Sequence, residues 1–174
     1  MTTANKLTLL RMALIPVFLG ILYAGFPGAT WAALVVFILA SLTDTLDGYI
    51  ARHYNQITNF GKFMDPLADK VLVMAAMCWF VEKGDMPGWA LAIVLLREFA
   101  VSGMRLVAVE QGKVIAAAWS GKIKTASTMV CLCLMMVAIP DWLRWVCVAV
   151  IVGTTVYSGV EYFIVNREVF KNAD

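Results

Sequence analysis

The stretch formed by residues 12–43 constrains the fold more than any other part of this chain, because it contains no charged side chain. One membrane-spanning helix needs about 20 apolar residues, so the stretch is long enough to begin a second crossing. It is interrupted at Gly25-Phe26-Pro27-Gly28. A proline flanked by glycines ends a helix and permits a tight turn. We therefore predict a helical hairpin, with helices over 7–24 and 29–52.

The remainder of the chain has the same apolar character. Of its 174 residues, 61% are hydrophobic and 15% are charged, with a mean hydropathy of +0.80. A soluble domain carries roughly 25% charged residues, so the chain belongs to the membrane class. Polar segments separate four further apolar stretches, which predict helices over 60–81, 89–110, 118–138 and 142–166. The predicted fold is an all-α, polytopic membrane protein with six transmembrane helices, forming a single domain over residues 1–174.

The basic residues predict the orientation. Of the 14 Lys and Arg residues, all but Lys83 and Arg144 fall on one side of the predicted membrane. Basic residues close to helix ends favour the cytoplasmic side, so both termini are predicted to be cytoplasmic. The N-terminus lacks the pattern of a removable signal peptide, and we expect the first helix to remain in the mature protein.

Tryptophans mark the opposite side of the predicted membrane. They stand near the non-cytoplasmic helix ends, at Trp31, Trp89, Trp142 and Trp145. Aromatic residues at such positions are typical interfacial anchors. Ordinary packing is the alternative interpretation.

The four cysteines have no metal-ligand spacing. They lie in apolar stretches, at Cys78, Cys131, Cys133 and Cys147. We expect buried, reduced packing residues and no disulfide framework.

Four of the 12 acidic residues are concentrated in two neighbouring predicted helices, at Asp44, Asp47, Asp65 and Asp69. Residues three or four apart share a helix face, so each pair of carboxylates can converge. Carboxylates next to hydrocarbon require compensating cations. Oxygen ligands without Cys or His suit Mg²⁺ or Mn²⁺, and two such ions can bridge four carboxylates. Paired-metal sites serve in-line displacement at phosphorus, so we expect a cytoplasmic active site for phosphoryl or phosphodiester transfer.

Residues close to the aspartates fit this interpretation. Gly48 and Gly61 lack a Cβ, so a bulky ligand or a second helix can approach the backbone. Arg52 supplies a planar fork for phosphate. Two alternatives remain open: acids solvated at the membrane interface, or a proton relay in a small ion carrier. A carrier would need neither the glycines nor Arg52.

The whole stretch reads Asp-x2-Asp-Gly-x2-Ala-Arg-x8-Gly-x3-Asp-x3-Asp. It resembles the signature of the CDP-alcohol phosphatidyltransferases at every fixed position. Residues 97–105 and 120–125 are also similar to the corresponding stretches of bacterial family members that form phosphatidylglycerophosphate. The resemblance covers nearly the whole chain. It implies an integral protein of the bacterial cytoplasmic (inner) membrane, with CDP-diacylglycerol as donor, sn-glycerol 3-phosphate as acceptor and CMP as the leaving group.

The resemblance also implies roles for the four aspartates. Asp44 and Asp65 would each contact both of two divalent cations. Asp47 would contact the first ion and Asp69 the second. Asp69 matches the family's proposed general base and is the predicted catalytic residue.

A second polar group opens the first predicted helix. Asn5, Thr8 and Arg11 follow each other at three-residue spacing, so their side chains can hydrogen-bond a nucleotide and pair with phosphate. A capped, interfacially anchored helix start is the alternative. The spacing is similar to the family's Asn-x2-Thr-x2-Arg pattern beside cytidine, although Ala4 stands where Pro is common. The predicted CDP-diacylglycerol-binding residues are Asn5, Thr8, Arg11, Gly48, Arg52, Thr58 and Gly61.

Cations at the cytoplasmic ends of the fourth and fifth helices form a third group, Arg97, Arg105, Lys122 and Lys124. Lys62, at the start of the third predicted helix, is expected near them and is counted with the group. Glu98 and Glu110 can neutralise only some of these charges, and the excess predicts a pocket for a phosphorylated, water-soluble acceptor. Snorkelling of positive-inside residues is the alternative.

Another acceptor, serine or inositol phosphate, also remains open. Serine has no phosphate and would have less need of the basic group. The expected partners are CDP-diacylglycerol, glycerol 3-phosphate and membrane lipid. The sequence is compatible with a homodimer and gives no reason to expect a nucleic-acid partner.

Overall fold

The computed structural model of the protein describes residues 3–53, 59–112, 115 and 118–167, without the side chains of 3–7, 44–53, 59–63, 65, 66 and 69. Six helices and no strand occur in this part of the chain. They are α1 (Thr3–Ala24), α2 (Ala29–His53), α3 (Asn59–Lys83), α4 (Gly88–Glu110), α5 (Trp119–Met136) and α6 (Asp141–Val165). The all-α prediction is confirmed for the described residues.

Three helix ends differ from the predicted ones by two residues or more: α1 begins four residues earlier, α3 ends two residues later and α5 ends two residues earlier. Helix α1 begins at Thr3, so Asn5 lies inside the helix and not before it. Helix α5 ends at Met136, because Val137 takes an extended conformation with φ −86° and ψ 151°. Pro140 is also extended and caps α6, whose first turn contains Asp141. An acidic residue there interacts favourably with the helix dipole.

The residues divide into two compact units, Met1–Phe80 and Val81–Asp174. In the first unit, α1 packs against α2. Phe18 and Phe37 are buried there, with ring centroids 5.8 Å apart and planes tilted by 46°. The buried Ala33 and Ala40 present only a methyl group along α2. Small and aromatic side chains thus form the inner face of the predicted hairpin.

The turn between α1 and α2 depends on its glycines. Gly25 and Gly28 have φ angles of +63° and +89°, which side chains with a Cβ rarely adopt. The Ala32 amide donates a hydrogen bond to the Gly28 carbonyl over 3.0 Å, which starts α2. The prediction of a tight turn at Gly25-Phe26-Pro27-Gly28 is confirmed.

In the second unit, α6 packs against both α4 and α5. Val101, Met104 and Ala108 of α4 surround the buried Tyr162 of α6. Ser127 of α5 donates a hydrogen bond to Thr154 Oγ1 of α6 over 3.3 Å. This three-helix arrangement positions the charged residues described below.

The charges at the start of α6 are paired. Arg144 Nη1 lies 2.7 Å from Asp85 and 3.0 Å from Asp141. The turn after α3 is therefore tied to the beginning of α6.

The cysteine prediction is right in part. All four cysteines are free, and Cys131 and Cys147 are buried. Cys133 is only half-buried and Cys78 is exposed, so burial was wrong for Cys78. Cys78 lies on the outward face of α3, between the buried Met77 and Trp79.

Among the described residues, α6 is the one helix that is both long and apolar enough to pass as a membrane span. Shorter apolar helical stretches occur at Thr8–Ala24 and Ala29–Thr43. Helices α3, α4 and α5 carry charged residues within their length, which lowers their mean hydropathy. Their outward faces nevertheless present large apolar side chains, among them Leu96, Phe99 and Leu106 of α4.

Replacing Gly28 by Ala should destabilise the hairpin, because a Cβ at φ +89° costs about 1–2 kcal/mol. Gly20→Ala is the control, since Gly20 lies in α1 and a Cβ there meets no atom within 4 Å. We expect Gly28→Ala to lower the apparent melting temperature in detergent and Gly20→Ala to leave it undiminished. Equal melting temperatures would contradict the assigned turn.

Candidate active site

The helices place the four aspartates in two pairs. Asp44 and Asp47 lie in the C-terminal half of α2, and Asp65 and Asp69 lie in the first three turns of α3. Helical spacing brings the two members of each pair to one face. Four carboxylates offer the hard oxygen ligands that Mg²⁺ and Mn²⁺ prefer, so these residues fit a divalent-metal site.

The side chains of these aspartates lie outside the described part of the structure. The same is true of the side chains of Asn5, Arg52 and Lys62, and Thr58 lies outside the described residues altogether. Gly48 belongs to α2 and Gly61 to α3. Where side chains are described, no three His, Cys, Asp or Glu residues could hold a metal ion together. The metal site therefore stays a prediction.

Thr8 and Arg11 lie on the buried side of α1, with exposed fractions of 1% and 0%. Burying a guanidinium is unfavourable unless acceptor groups or an anion compensate its charge. Full burial does not fit an interfacial anchor, in which the charged head stays in water. The structure therefore favours the interpretation that these two side chains serve an internal polar site.

One carboxylate joins two of the predicted acceptor-binding cations. Glu98 Oε1 accepts hydrogen bonds from Arg97 Nη1 over 3.0 Å and from Lys124 Nζ over 2.6 Å. The exposed fractions of the three side chains are 13% for Arg97, 10% for Glu98 and 7% for Lys124. Arg97 Nη2 also donates to Ser158 Oγ. We call these four residues the Glu98 cluster; it links α4, α5 and α6.

The Glu98 cluster carries two positive charges and one negative charge. An excess of buried positive charge is unfavourable unless an anion balances it. Within the described residues, Arg97 Nε and Ser120 Oγ are buried and lack a hydrogen-bond partner. Ser120 precedes Lys124 by one helical turn on the same face of α5. Among the described residues, the cluster and Ser120 beside it on α5 therefore combine a net positive charge with buried groups that lack a hydrogen-bond partner, which suits a phosphate.

The other described cations of the predicted group contact aromatic rings. Arg105 Nε donates to the Tyr162 hydroxyl over 2.9 Å, and its guanidinium lies 5.6 Å from that ring's centroid. Lys122 Nζ lies 4.7 Å from the centroid of the Trp119 ring. The structure thus brings Arg97 and Lys124 together and holds Arg105 and Lys122 separately.

The contributions of α6 to this region were missed by the sequence analysis. Ser158 and Tyr162 hydrogen-bond Arg97 and Arg105, yet α6 was interpreted only as an apolar span. Their four-residue spacing, on one face of a helix otherwise rich in Val and Ile, was the available signal.

Comparison with known proteins identifies the family. The family model of the CDP-alcohol phosphatidyltransferases matches residues 1–157, so the chain belongs to this family. The match extends across both compact units. Members of the family are membrane-associated and generally depend on divalent metals. The resemblance predicted from the aspartate motif is confirmed.

Individual relatives are similar over most of their length. The chain is 42% identical to the CDP-diacylglycerol–glycerol-3-phosphate 3-phosphatidyltransferase of Bacillus subtilis (strain 168), over 98% of this chain and 97% of the relative. It is 37% identical to the protein of that name from Shigella flexneri serotype 5b, over 92% of each. It is 39% identical to the probable phosphatidylglycerophosphate synthase of Mycobacterium tuberculosis (strain ATCC 25618 / H37Rv), over 91% of this chain and 78% of the relative.

The charge balance of the Glu98 cluster predicts unequal effects of two substitutions on stability. Glu98→Gln leaves Arg97 and Lys124 adjacent without a counter-charge, whereas Lys124→Met leaves a neutral pair of Arg97 and Glu98. Uncompensated buried charge costs roughly 3–5 kcal/mol, so Glu98→Gln should lower the melting temperature in detergent more than Lys124→Met. Equal losses would mean that the charge balance does not govern stability here.

Proposed function

We propose that this protein transfers the phosphatidyl group from CDP-diacylglycerol to sn-glycerol 3-phosphate, forming phosphatidylglycerophosphate and releasing CMP. The similarity to the Bacillus subtilis enzyme over nearly the full length of both chains carries this proposal. The unbalanced positive charge of the Glu98 cluster gives independent support, because it suits an acceptor that bears a phosphate.

The proposed metal site consists of Asp44, Asp47, Asp65 and Asp69, holding two divalent cations, Mg²⁺ or Mn²⁺. When bound, such ions neutralise charge on the transferred phosphate and hold the attacking and leaving oxygens. Asp44 and Asp65 are assigned to both ions, Asp47 to the first and Asp69 to the second. The helical spacing within each pair supports the grouping.

Asp69 is the proposed general base. Its carboxylate takes the proton from one of the two hydroxyls of glycerol 3-phosphate as that oxygen attacks the phosphorus that carries the diacylglycerol. The bond from that phosphorus to the CMP oxygen breaks, and CMP leaves. A base of this kind typically contributes 10²–10⁴-fold to the rate.

The proposed donor site consists of Asn5, Thr8, Arg11, Gly48, Arg52, Thr58 and Gly61. The burial of Thr8 and Arg11 supports it, because polar side chains directed inward can bind the charged part of a lipid nucleotide. Gly48 and Gly61 lack a Cβ, so the diphosphate can approach the backbone closely at these positions.

The proposed acceptor site binds the phosphate of glycerol 3-phosphate through cations. Arg97 and Lys124 have the stronger support, since the structure places both on one buried carboxylate. Lys62, Arg105 and Lys122 complete the proposed group. Arg105 is hydrogen-bonded to Tyr162, and Lys122 lies over the ring of Trp119.

We further propose that all six helices cross the bacterial cytoplasmic membrane, with both termini and the active site on the cytoplasmic side. The helices contain 18 to 25 residues, which corresponds to roughly 27–38 Å and matches a hydrocarbon core of about 30 Å. Their outward faces carry large apolar side chains that would be unfavourable in water. The exposed Trp31, Trp89, Trp142 and Trp145 suit the opposite interface.

The acceptor assignment is tested by supplying the purified protein with CDP-diacylglycerol and one radiolabelled acceptor at a time. We expect lipid product and CMP with glycerol 3-phosphate and essentially none with glycerol, which differs only in lacking the phosphate. Serine and inositol phosphate serve as the rival acceptors. If more label entered lipid from serine or inositol phosphate than from glycerol 3-phosphate, the proposed acceptor would be wrong. The proposed class of reaction would still hold.

Replacing Asp44, Asp47 or Asp65 by Ala should abolish transfer, because each change removes a proposed ligand of the metal ions. Chelation should do the same to the unaltered protein, with recovery on adding Mg²⁺ or Mn²⁺ and not Ca²⁺. Asp69→Asn should lower turnover by about 10²–10⁴-fold and leave CDP-diacylglycerol binding nearly intact. Near-normal activity of Asp44→Ala or Asp65→Ala would contradict the two-metal site.

A further inference from the structure

The side chain of Arg97 lies against two glycines of the neighbouring helices. A Cβ at Gly159 of α6 would lie 3.2 Å from Arg97 Cγ. A Cβ at Gly121 of α5 would lie 3.5 Å from Arg97 Nη2. The first distance is tighter than most carbon contacts, so the Arg97 side chain would have to shift by a few tenths of an ångström if position 159 carried a side chain.

The far end of Arg97 is held at two points. Nη1 donates to Glu98 Oε1 and Nη2 donates to Ser158 Oγ. Lys124 Nζ is bonded to the same Glu98 oxygen. The guanidinium and ammonium groups are therefore neighbours because they share one acceptor atom, although their like charges repel each other.

We infer that Glu98 is a positioning residue of the acceptor site: it holds Arg97 and Lys124 side by side as a pair that binds one phosphate, while glycine at position 159 leaves the space Arg97 needs. This inference rests on the proposed function. A guanidinium and an ammonium together can bond several oxygens of one phosphate only if they are adjacent. Glu98 acts through them and does not contact the phosphate, because two negative groups would repel.

The first test compares Gly159→Ala with Gly153→Ala in the purified full-length protein. Both positions lie inside α6 and gain the same helix propensity on replacement by Ala. A Cβ at Gly153 meets no atom within 4 Å, so this variant is the matched control. Because small misplacements of binding groups reduce catalysis strongly, we expect Gly159→Ala to raise KM for glycerol 3-phosphate about three- to tenfold. KM for CDP-diacylglycerol should stay unchanged, and Gly153→Ala should alter neither constant.

The second test uses Glu98→Gln, which keeps an oxygen at the same place and removes its charge. Positioning predicts an increase of about tenfold in KM for glycerol 3-phosphate, although the cluster gains a unit of positive charge. If Glu98 served only to reduce the local positive charge, KM for the acceptor would fall. If its role were only structural, that KM would stay constant while the melting temperature fell. Either result would overturn the inference.

The unaltered protein separates this inference from the proposed function. If it transfers nothing to glycerol 3-phosphate, the proposed function is wrong and the inference falls with it. If it does so and folded Gly159→Ala shows the same KM for the acceptor as Gly153→Ala, the inference alone is wrong. Size-exclusion chromatography and melting temperature identify the folded variants, and Gly159→Ala decides the question even if Glu98→Gln does not fold.

Discussion

The buried charges of the second compact unit meet at a single oxygen atom, Glu98 Oε1, which accepts hydrogen bonds from cations on two different helices. In surroundings of low dielectric constant, a buried charge must meet an opposite charge or it destabilises the fold. Glu98 and Lys124 therefore link α4 to α5, and the bond from Arg97 to Ser158 includes α6. Among the described side chains, the same contacts leave one positive charge uncompensated. The arrangement that stabilises the unit is thus also the one proposed to bind the acceptor's phosphate.

Most of the helical architecture could be predicted from the sequence, since a charge-free stretch interrupted by Gly-Phe-Pro-Gly allows few folds other than an apolar hairpin. The end of α5 could not be predicted in this way. Val137, Ala138 and Ile139 are as apolar as the helix before them, and Val137 leaves helical geometry without any change in composition. The start of α1 was placed too late for a related reason, because its first polar residues are helical. Hydropathy identifies what lies in an apolar environment and does not fix the backbone conformation.

The positions of the aspartate pairs on α2 and α3 could be predicted, because the members of each pair are close in sequence; their role in a metal site stays a prediction. Side-chain direction was harder to infer. Lys122 and Lys124 were placed in one group, yet residues two apart on a helix do not share a face. Lys124 accordingly points inward to Glu98, and Lys122 contacts the ring of Trp119 on the exposed side. The role of Ser158 could not be derived from the sequence alone, because it depends on which face of α6 meets Arg97.

Trp119, the first residue of α5, has an exposed fraction of 76%. An exposed tryptophan at a helix end prefers the headgroup level of a bilayer, so in the proposed orientation it fixes the depth of everything that follows. Lys124 comes five residues later, roughly 7.5 Å further along the helix axis. In the proposed orientation Lys124 would therefore lie near the boundary between the headgroups and the acyl chains, since the headgroup layer of one leaflet is roughly 5–8 Å thick. The lipid donor holds its phosphates in this layer and a water-soluble acceptor enters it from the aqueous side, so the proposed reaction would join the two substrates at the membrane surface.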